Sequence, residues 1–133
     1  MKIKYLLDGV NVKRIIGDGC LEVKQLNFDS RRIDTGGLFF ALSGAENDGH
    51  DFAGYAEKKG AAAIVCEHEV PVSVTQIIVD NAREAMSKIA SNFYGKPQKK
   101  LKIIGVTGTN GKTTTTYIIK SILEQSGYTV GLI

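Results

Sequence analysis

Cysteine is scarce in this sequence, with two in 133 residues. Cys20 and Cys66 form no C-x-x-C pair and stand in no metal-ligand spacing, which excludes a disulfide-rich scaffold and a cysteine-based metal centre. Cys66 lies in the apolar run 62–66, where it is expected to be a small buried hydrophobe. Two free thiols are typical of a protein in a reducing compartment.

Long apolar runs are also missing. No stretch approaches the roughly 20 apolar residues that are needed to span a bilayer. The first residues are positively charged but reach Asp8 without an adequate apolar segment, so they do not resemble a secretory signal. The sequence therefore predicts a cytoplasmic protein with no membrane insertion.

The basic excess is small, with a formal net charge of +3 and a pI of about 8.8. A nucleic-acid binder usually shows a dense basic stripe. The nearest cluster here is Lys96, Lys99, Lys100 and Lys102, for which a solvated linker is the favoured interpretation. No nucleic-acid partner is expected. With 43% hydrophobic residues, the chain has about the length and the apolar content of one ordinary domain with a real core.

The first 97 residues alternate strand and helix patterns, which predicts an α/β domain. The pattern predicts a short helix at 2–8, then strands at 12–16 and 21–28, the second with a bulge, and a buried strand at 38–42. A helix follows that is capped by Asp51 and runs to Lys59. Buried strands are predicted at 62–66 and 76–80, and a further helix starts at Asn81. Phe52, Tyr55 and Ala56 are expected on the apolar face of the helix that Asp51 caps.

A domain boundary is predicted at residue 97, and a second unit starts at residue 98. The pattern there predicts a buried strand (101–106), a loop (107–111), a helix (112–126) capped by Gly127, and a strand (128–133). The predicted fold class is thus an amino-terminal α/β domain followed by the first strand–loop–helix–strand unit of a parallel-sheet domain. Two strands and one helix cannot bury a parallel sheet, so the sequence is expected to be a fragment of a longer protein, or this unit packs on the first domain.

The loop before that helix has the chemistry of a phosphate-binding loop. Gly108 and Gly111 allow backbone conformations closed to other residues and let successive N–H groups point at an anion. The helix N-terminus adds about half a positive charge, Lys112 can reach the outer phosphates, and the Thr113 hydroxyl can ligate Mg²⁺. Val106 stands where the general pattern G-x-x-x-x-G-K-[ST] has glycine. A helix start rich in glycine and threonine is the simpler alternative. The loop indicates a nucleotide without choosing among a kinase, an ATPase, a GTPase and a ligase.

Residues 105–116 resemble the ATP loop of the Mur ligases, which build the stem peptide of peptidoglycan, and valine before the loop is normal in that family. A second set of motifs resembles the amino-terminal domain with which two members bind the UDP end of their precursor: residues 29–32, 37–44, 48–52, 56 and 60–62. One of these members adds the third residue of the stem peptide, and the other adds the terminal dipeptide. The threonine-rich loop is closer to the first.

The resemblance implies two sets of site residues. ATP would be held by the phosphate loop, which consists of Gly108, Thr109, Asn110, Gly111, Lys112, Thr113 and Thr114. Within it, Lys112 would be the catalytic residue, because it stabilises charge on the transferring phosphoryl group, and Thr113 would lie at Mg²⁺. The UDP-sugar would contact Phe28, Ser30, Ala45, Glu46 and Asn47.

Residue types alone allow simpler interpretations of two of these segments. Asp29-Ser30-Arg31 fits a turn with a local Asx hydrogen bond and a solvated arginine. Asp48-Gly49-His50-Asp51 suggests a metal site, but a turn followed by a helix cap is favoured. His68 is expected to be exposed.

The activity that the resemblance implies is ATP-dependent ligation through an acyl phosphate that an amine attacks. The partners would be UDP-N-acetylmuramoyl-L-alanyl-D-glutamate and the third amino acid, diaminopimelate or lysine. The family's other Mg²⁺ ligands, its modified lysine and its amino-acid pocket would lie beyond Ile133, so these 133 residues are expected to be inactive alone. The alternatives are the dipeptide-adding member, a different P-loop NTPase or kinase, and a non-catalytic UDP-sugar-binding module.

Overall fold

A computed structural model describes residues 1–44 and 47–133. Contacts between residues divide the chain into two compact units, Met1–Lys100 and Leu101–Ile133, and each is described by itself. Among the described residues, no helix combines the length and the apolar character that crossing a membrane requires.

The first unit is built on one five-stranded sheet. Its strands are β1 (Val12–Ile16), β2 (Gln25–Asn27), β3 (Gly37–Phe40), β4 (Ala61–Cys66) and β5 (Thr75–Val79), in the spatial order β1-β5-β4-β3-β2. The neighbours from β2 to β5 pair in parallel, and β1 is antiparallel to β5 at one edge. The helices are α1 (Ile3–Leu6), α2 (Ala53–Lys58) and α3 (Ala82–Phe93), with 3-10 helices at Ser30–Arg32, Gly49–Phe52 and Pro97–Lys99. The predicted α/β class is confirmed.

Side chains alternate between the two faces of the sheet, and each face has its own core. Leu38 and Phe40 of β3 pack into a cluster that includes residues of α1 and α3. Phe39, from the same strand, packs into the cluster on the other face, which includes residues of α2. Cys66 also belongs to that second cluster, where burial raises the pKa of its thiol to about 11. The prediction that Cys66 is a buried hydrophobe is confirmed.

Helix α2 differs from its prediction in both its cap and its buried face. Asp51 is not the cap, because the 3-10 helix Gly49–Phe52 already begins the turn and Asp48 caps it by accepting from the His50 N–H. Ala53 and Ala56 are the residues that α2 buries. Methyl side chains let this short helix lie close to the sheet, and the large aromatic residues predicted to face the core are left at its surface.

Helix α3 follows its prediction closely. Asn81 Oδ1 accepts a hydrogen bond from the Glu84 N–H at 2.9 Å, which is the predicted N-cap. The predicted strand at 21–28 is shorter than expected, with only Gln25–Asn27 in the sheet and an isolated bridge between Lys2 and Glu22 before it. The ends of this strand are set by where it pairs with β3. The alternating pattern does not mark them, because it continues on both sides.

The second unit contains one helix, α4 (Lys112–Gln125), which agrees with the prediction within one residue. Gly127, with φ of +86°, ends it, and the Tyr128 N–H donates to the Leu123 carbonyl at 3.1 Å in a Schellman arrangement. The strands predicted at 101–106 and 128–133 are not confirmed, because neither segment pairs in a ladder among the described residues. A strand exists only with a partner to accept its hydrogen bonds, and periodicity alone does not supply one.

Candidate functional site

A groove of about 720 Å³ lies at the carboxyl ends of β2 and β3. This is the edge of a parallel sheet at which α/β proteins usually bind ligands. Two segments that follow β2 and β3, together with the start of α2, line it: Phe28, Asp29, Ser30, Arg31, Asn47, Gly49, Phe52 and Tyr55. A second cavity of about 70 Å³, beside the start of α3, is an order of magnitude smaller. The volume of the groove falls in the range of about 300–1,000 Å³ that small-molecule sites occupy.

Three of the five residues predicted to contact a UDP-sugar meet in this groove. Phe28 is 66% exposed, Ser30 is buried, and Asn47 is exposed on the segment after β3. The other two, Ala45 and Glu46, lie outside the described residues. The contacts of all five with a UDP-sugar stay predictions.

One wall of the groove is held by an aspartate–arginine pair. Asp29 Oδ1 accepts from the Arg31 N–H at 3.0 Å, which is the local Asx bond expected for a turn. The Arg31 guanidinium also donates twice to this carboxylate, both at 2.9 Å. These hydrogen bonds lower the pKa of Asp29 to about 2, with the Arg31 side chain as the largest cause. The arginine expected to be merely solvated therefore orders the wall, although its side chain is 81% exposed.

The other wall is anchored by a buried histidine. Asp48 Oδ1 accepts from the His50 N–H at 3.0 Å and faces the ring Nδ1 of the same residue. The His50 Nε2 accepts from the Glu67 N–H at 3.0 Å, at the end of β4. Since Nε2 accepts, hydrogen-bond geometry assigns the ring proton to Nδ1, which donates to Asp48. His50 thus connects the segment that borders the groove to the sheet.

Electrostatics and stacking support the same wall. The pKa of Asp48 is lowered, first by the His50 backbone N–H and then by the His50 side chain. His68 is exposed, as predicted, and its ring stacks on His50 with the centroids 4.1 Å apart. Within the described ranges, no group of three potential ligands among His, Cys, Asp and Glu is gathered for a metal ion. The hydrogen bond from the His50 N–H to Asp48 makes residues 48–51 a capped turn, with Asp48 rather than Asp51 as the capping residue.

The phosphate loop leads directly into α4. Gly111 is the N-cap, at φ +75° in the left-handed region, and Gly108 has φ of +155°. Helix α4 has no side-chain cap hydrogen bond and no acidic residue in its first turn. The N–H groups at its start thus meet no carboxylate of their own turn, as an anion site requires. Lys112 Nζ donates to the Gly108 carbonyl and, at 3.5 Å, to the Thr109 carbonyl. These features fit the phosphates of a nucleotide.

The hydroxyl assigned to Mg²⁺ belongs to Thr113, which is exposed on the first turn of α4. The Thr113 carbonyl accepts from the Thr116 hydroxyl at 2.8 Å, as helical threonines commonly arrange. A hydroxyl beside a phosphate loop is a suitable hard-oxygen ligand for Mg²⁺. The roles of Gly108–Thr114 with ATP and of Thr113 with Mg²⁺ remain predictions.

Sequence reasoning did not name Phe52 and Tyr55 as groove residues. Their spacing of three, at the start of the predicted helix, is typical of a buried face. Ala53 and Ala56 have the same spacing of three, and these are the residues that α2 buries against the sheet. This second pair is the signal that distinguishes the buried face. Asp29, Arg31 and Gly49 also line the groove beyond the residues that were predicted.

Two family profiles match the chain in order. One described as "Mur ligase family, catalytic domain" matches residues 22–94, which is more than half of the chain. The second, described as "Mur ligase middle domain", matches residues 106–133. The first covers strands β2 to β5 and the groove, and the second covers the phosphate loop and α4.

Curated relatives match along the full chain. A protein of Clostridium acetobutylicum named UDP-N-acetylmuramoyl-L-alanyl-D-glutamate--2,6-diaminopimelate ligase 1 is 49% identical over 136 aligned positions, which are 100% of this chain and 28% of that protein. A 2,6-diaminopimelate ligase of Geobacillus kaustophilus is 47% identical, again over 100% of this chain and 27% of the relative. The chain therefore spans a little more than a quarter of the length of these relatives.

Solved structures give the same architecture. A UDP-N-acetylmuramoylalanyl-D-glutamyl-2,6-diaminopimelate--D-alanyl-D-alanyl ligase from Acinetobacter baumannii aligns with a TM-score of 0.73 at 26% identity, over 93% of this chain and 28% of that one. A MurF ligase from Thermotoga maritima, in complex with ADP, aligns with a TM-score of 0.61 at 30% identity, over 77% of this chain and 24% of that one.

Proposed function

The chain belongs to the Mur ligase family, and from this membership we propose that it is the precursor-binding and nucleotide-binding part of an ATP-dependent ligase. The reaction would join diaminopimelate to UDP-N-acetylmuramoyl-L-alanyl-D-glutamate. The observation that carries this proposal is the match, over the whole chain, to proteins named for that reaction at 40–49% identity. We also propose a cytoplasmic location, which suits the free thiols Cys20 and Cys66.

The groove is the proposed site for the UDP end of the precursor. Phe28, Ser30 and Asn47 lie there together, on segments that the parallel strands β2 and β3 position. The Asp29–Arg31 pair on one side and the His50 anchor on the other fix both walls. Preformed walls favour binding because less conformational freedom is lost when the ligand enters.

The phosphate loop is the proposed site for Mg-ATP. When bound, ATP supplies the phosphoryl group that activates the carboxylate of the precursor for attack by an amine. Lys112 and the N–H groups at the start of α4 bind and orient the phosphates and oppose their negative charge. Thr113 offers its hydroxyl to Mg²⁺. No side chain of this chain is required as a nucleophile, since the chemistry is mainly positioning and charge stabilisation.

The dipeptide-adding reaction is the second candidate, because solved structures of such ligases share the fold. Those structures are 26–30% identical to this chain, whereas the diaminopimelate ligases reach 40–49%. The higher identity favours diaminopimelate as the incoming amine.

A ligation assay on the natural gene product that contains these 133 residues tests the proposal. With Mg-ATP and the UDP-dipeptide precursor, diaminopimelate should give the amide product by mass spectrometry, and lysine or D-alanyl-D-alanine should give little. Lys112→Ala should lower turnover by roughly 100-fold or more, on the scale of losing one preorganised charge contact. Lys120→Ala is the matched control, because Lys120 lies on α4 and pairs with Glu124 at 3.8 Å, away from the loop. A parallel assay replaces the UDP-dipeptide with the precursor that already carries diaminopimelate, which is the acceptor in the name of the solved D-alanyl-D-alanyl ligase. Ligation of D-alanyl-D-alanine to that precursor would support the second candidate, and ATP turnover that ignores both precursors would indicate a different P-loop enzyme.

A further inference from the structure

The groove is lined by three exposed aromatic side chains that are not part of either core cluster. Phe28 is 66% exposed, Phe52 is 43% exposed and Tyr55 is 46% exposed, and all three line the same cavity. Single exposed apolar residues are common on protein surfaces, but several in one concave site are typical of ligand binding. The three rings therefore favour a ligand with an apolar, planar part.

Two of these rings are attached to a rigid support. Phe52 ends the 3-10 helix Gly49–Phe52 and Tyr55 lies in the first turn of α2, three residues later, so the two lie on one side of the helix. The buried Ala53 and Ala56 fix α2 against β4, and α2 also packs against the 3-10 helix Ser30–Arg32. Packing thus sets the backbone positions from which the two rings project.

Cations stand next to the aromatic surface. Lys59 Nζ lies 5.9 Å from the centroid of the Tyr55 ring, and Arg31, whose guanidinium pairs with Asp29, also lines the groove. A ligand that combines a flat heteroaromatic ring with a polyanionic group matches this combination. A nucleoside diphosphate has both parts.

We propose that Tyr55, with Phe52 beside it, forms an aromatic wall on which the uracil ring of the UDP-precursor stacks. This inference rests on the proposed precursor site and adds to it two residues that bind the base. Stacking uses the π-face that every base has, so the wall contributes affinity, while polar groups of the groove choose the base.

Binding of UDP to the full chain tests this role by calorimetry. Tyr55→Ala should weaken UDP binding about tenfold, which is the scale of one lost base–aromatic stack. Tyr55→Phe keeps the ring and should bind UDP within about twofold of the wild type. Tyr94→Ala is the matched control, since Tyr94 is 68% exposed at the end of α3 and is not part of the groove. Equal melting temperatures of the variants would show that the change is in binding.

A second measurement needs no substitution. In the wild-type chain with UDP, nuclear Overhauser effects should connect uracil H5 and H6 to the ring protons of Tyr55 and Phe52. UDP binding with no such effects, and with an unchanged Kd in Tyr55→Ala, would overturn the aromatic wall and leave the precursor site standing. A wild-type chain that does not bind UDP would overturn both.

Discussion

His50 connects the segment bordering the groove to the end of β4, and its surroundings explain why a histidine stands there. Its two ring nitrogens face different partners, the Asp48 carboxylate and the Glu67 N–H. Only a neutral imidazole with its proton on Nδ1 satisfies both, since one nitrogen must donate and the other must accept. The residue is buried, so water cannot replace either partner freely.

Replacing this histidine should lower stability. His50→Ala removes a buried ring and leaves the Glu67 N–H without its acceptor, which should reduce the free energy of unfolding by about 2 kcal/mol. Urea denaturation followed by circular dichroism measures the difference. His68→Ala is the control, because that ring is exposed and stacks on the same histidine, and its loss should cost less than about 0.5 kcal/mol. Similar losses in both variants would show that stacking, not the hydrogen bonds, holds the wall.

The Asp29–Arg31 pair makes a prediction about pH. Because the pKa of Asp29 is lowered to about 2, its ionised form favours the folded state above the pKa of an unfolded aspartate near 4. That contribution is lost as the pH falls from about 4 through about 2. Arg31→Ala should raise the pKa of Asp29 toward the ordinary value but not fully to it, because the backbone N–H of residue 31 still donates to Oδ1, and the carboxyl carbon in an NMR titration reports the change.

Arg32→Ala is the comparison for this titration. Arg32 is adjacent, but its charge is the last of the causes that lower the pKa of Asp29, whereas the Arg31 hydrogen bonds come first. The pKa should therefore remain close to 2 in Arg32→Ala. Equal shifts in the two variants would mean that general positive charge, and not the bidentate contact, sets the acidity of this groove residue.

At the scale of elements, two glycines, one within α2 and one just after it, should respond in opposite directions to the same substitution. Gly54 lies within α2 with nothing within 4 Å of an added Cβ, so Gly54→Ala should stabilise the fold by about 0.5–1 kcal/mol. Gly60 has φ of +104°, and an added Cβ would lie 2.9 Å from the Cα of Thr35. Gly60→Ala should therefore destabilise by more than about 1 kcal/mol. Thermal unfolding of both variants measures the signs, and a gain in stability for Gly60→Ala would contradict the backbone geometry.

Elements that depend on local chemistry could be predicted from the sequence. Strand β1 has the predicted bounds, and the helix after Asn81 starts at the predicted cap. The failures depend on neighbours distant in sequence or on competing local turns. Residues 101–106 have the composition of a buried strand but pair in no ladder among the described residues. The capping residue is Asp48 and not the predicted Asp51, because a 3-10 helix precedes α2. Apolar content predicts that a segment prefers burial, but it does not predict what buries it.

The candidate site shows the same limit. The resemblance to a family motif around Phe28 and Ser30 predicts both as site residues, and both line the groove. Phe52 and Tyr55 were missed because apolar residues three apart predict a buried helix face, whereas in α2 the alanines take that place. The distance between helix and sheet decides which of the two apolar pairs faces the sheet. That distance cannot be predicted from the composition of the helix.

At the scale of the whole molecule, two compact units divide the two proposed binding tasks. The groove belongs to Met1–Lys100, and the phosphate loop belongs to Leu101–Ile133. The family profiles match the two units separately, at residues 22–94 and 106–133. Each proposed ligand should therefore change the amide signals of residues in one unit only.

The most direct test is an NMR map of backbone amides in the ¹⁵N-labelled chain, titrated separately with UDP-N-acetylmuramoyl-L-alanyl-D-glutamate and with Mg-ATP. The account predicts that the precursor shifts amides of residues 28–31 and 47–55 and that Mg-ATP shifts amides of residues 108–114. Lys112→Ala should abolish only the second set. A precursor that shifts no groove amide, or Mg-ATP shifts that survive Lys112→Ala unchanged, would contradict the assignment of these two sites.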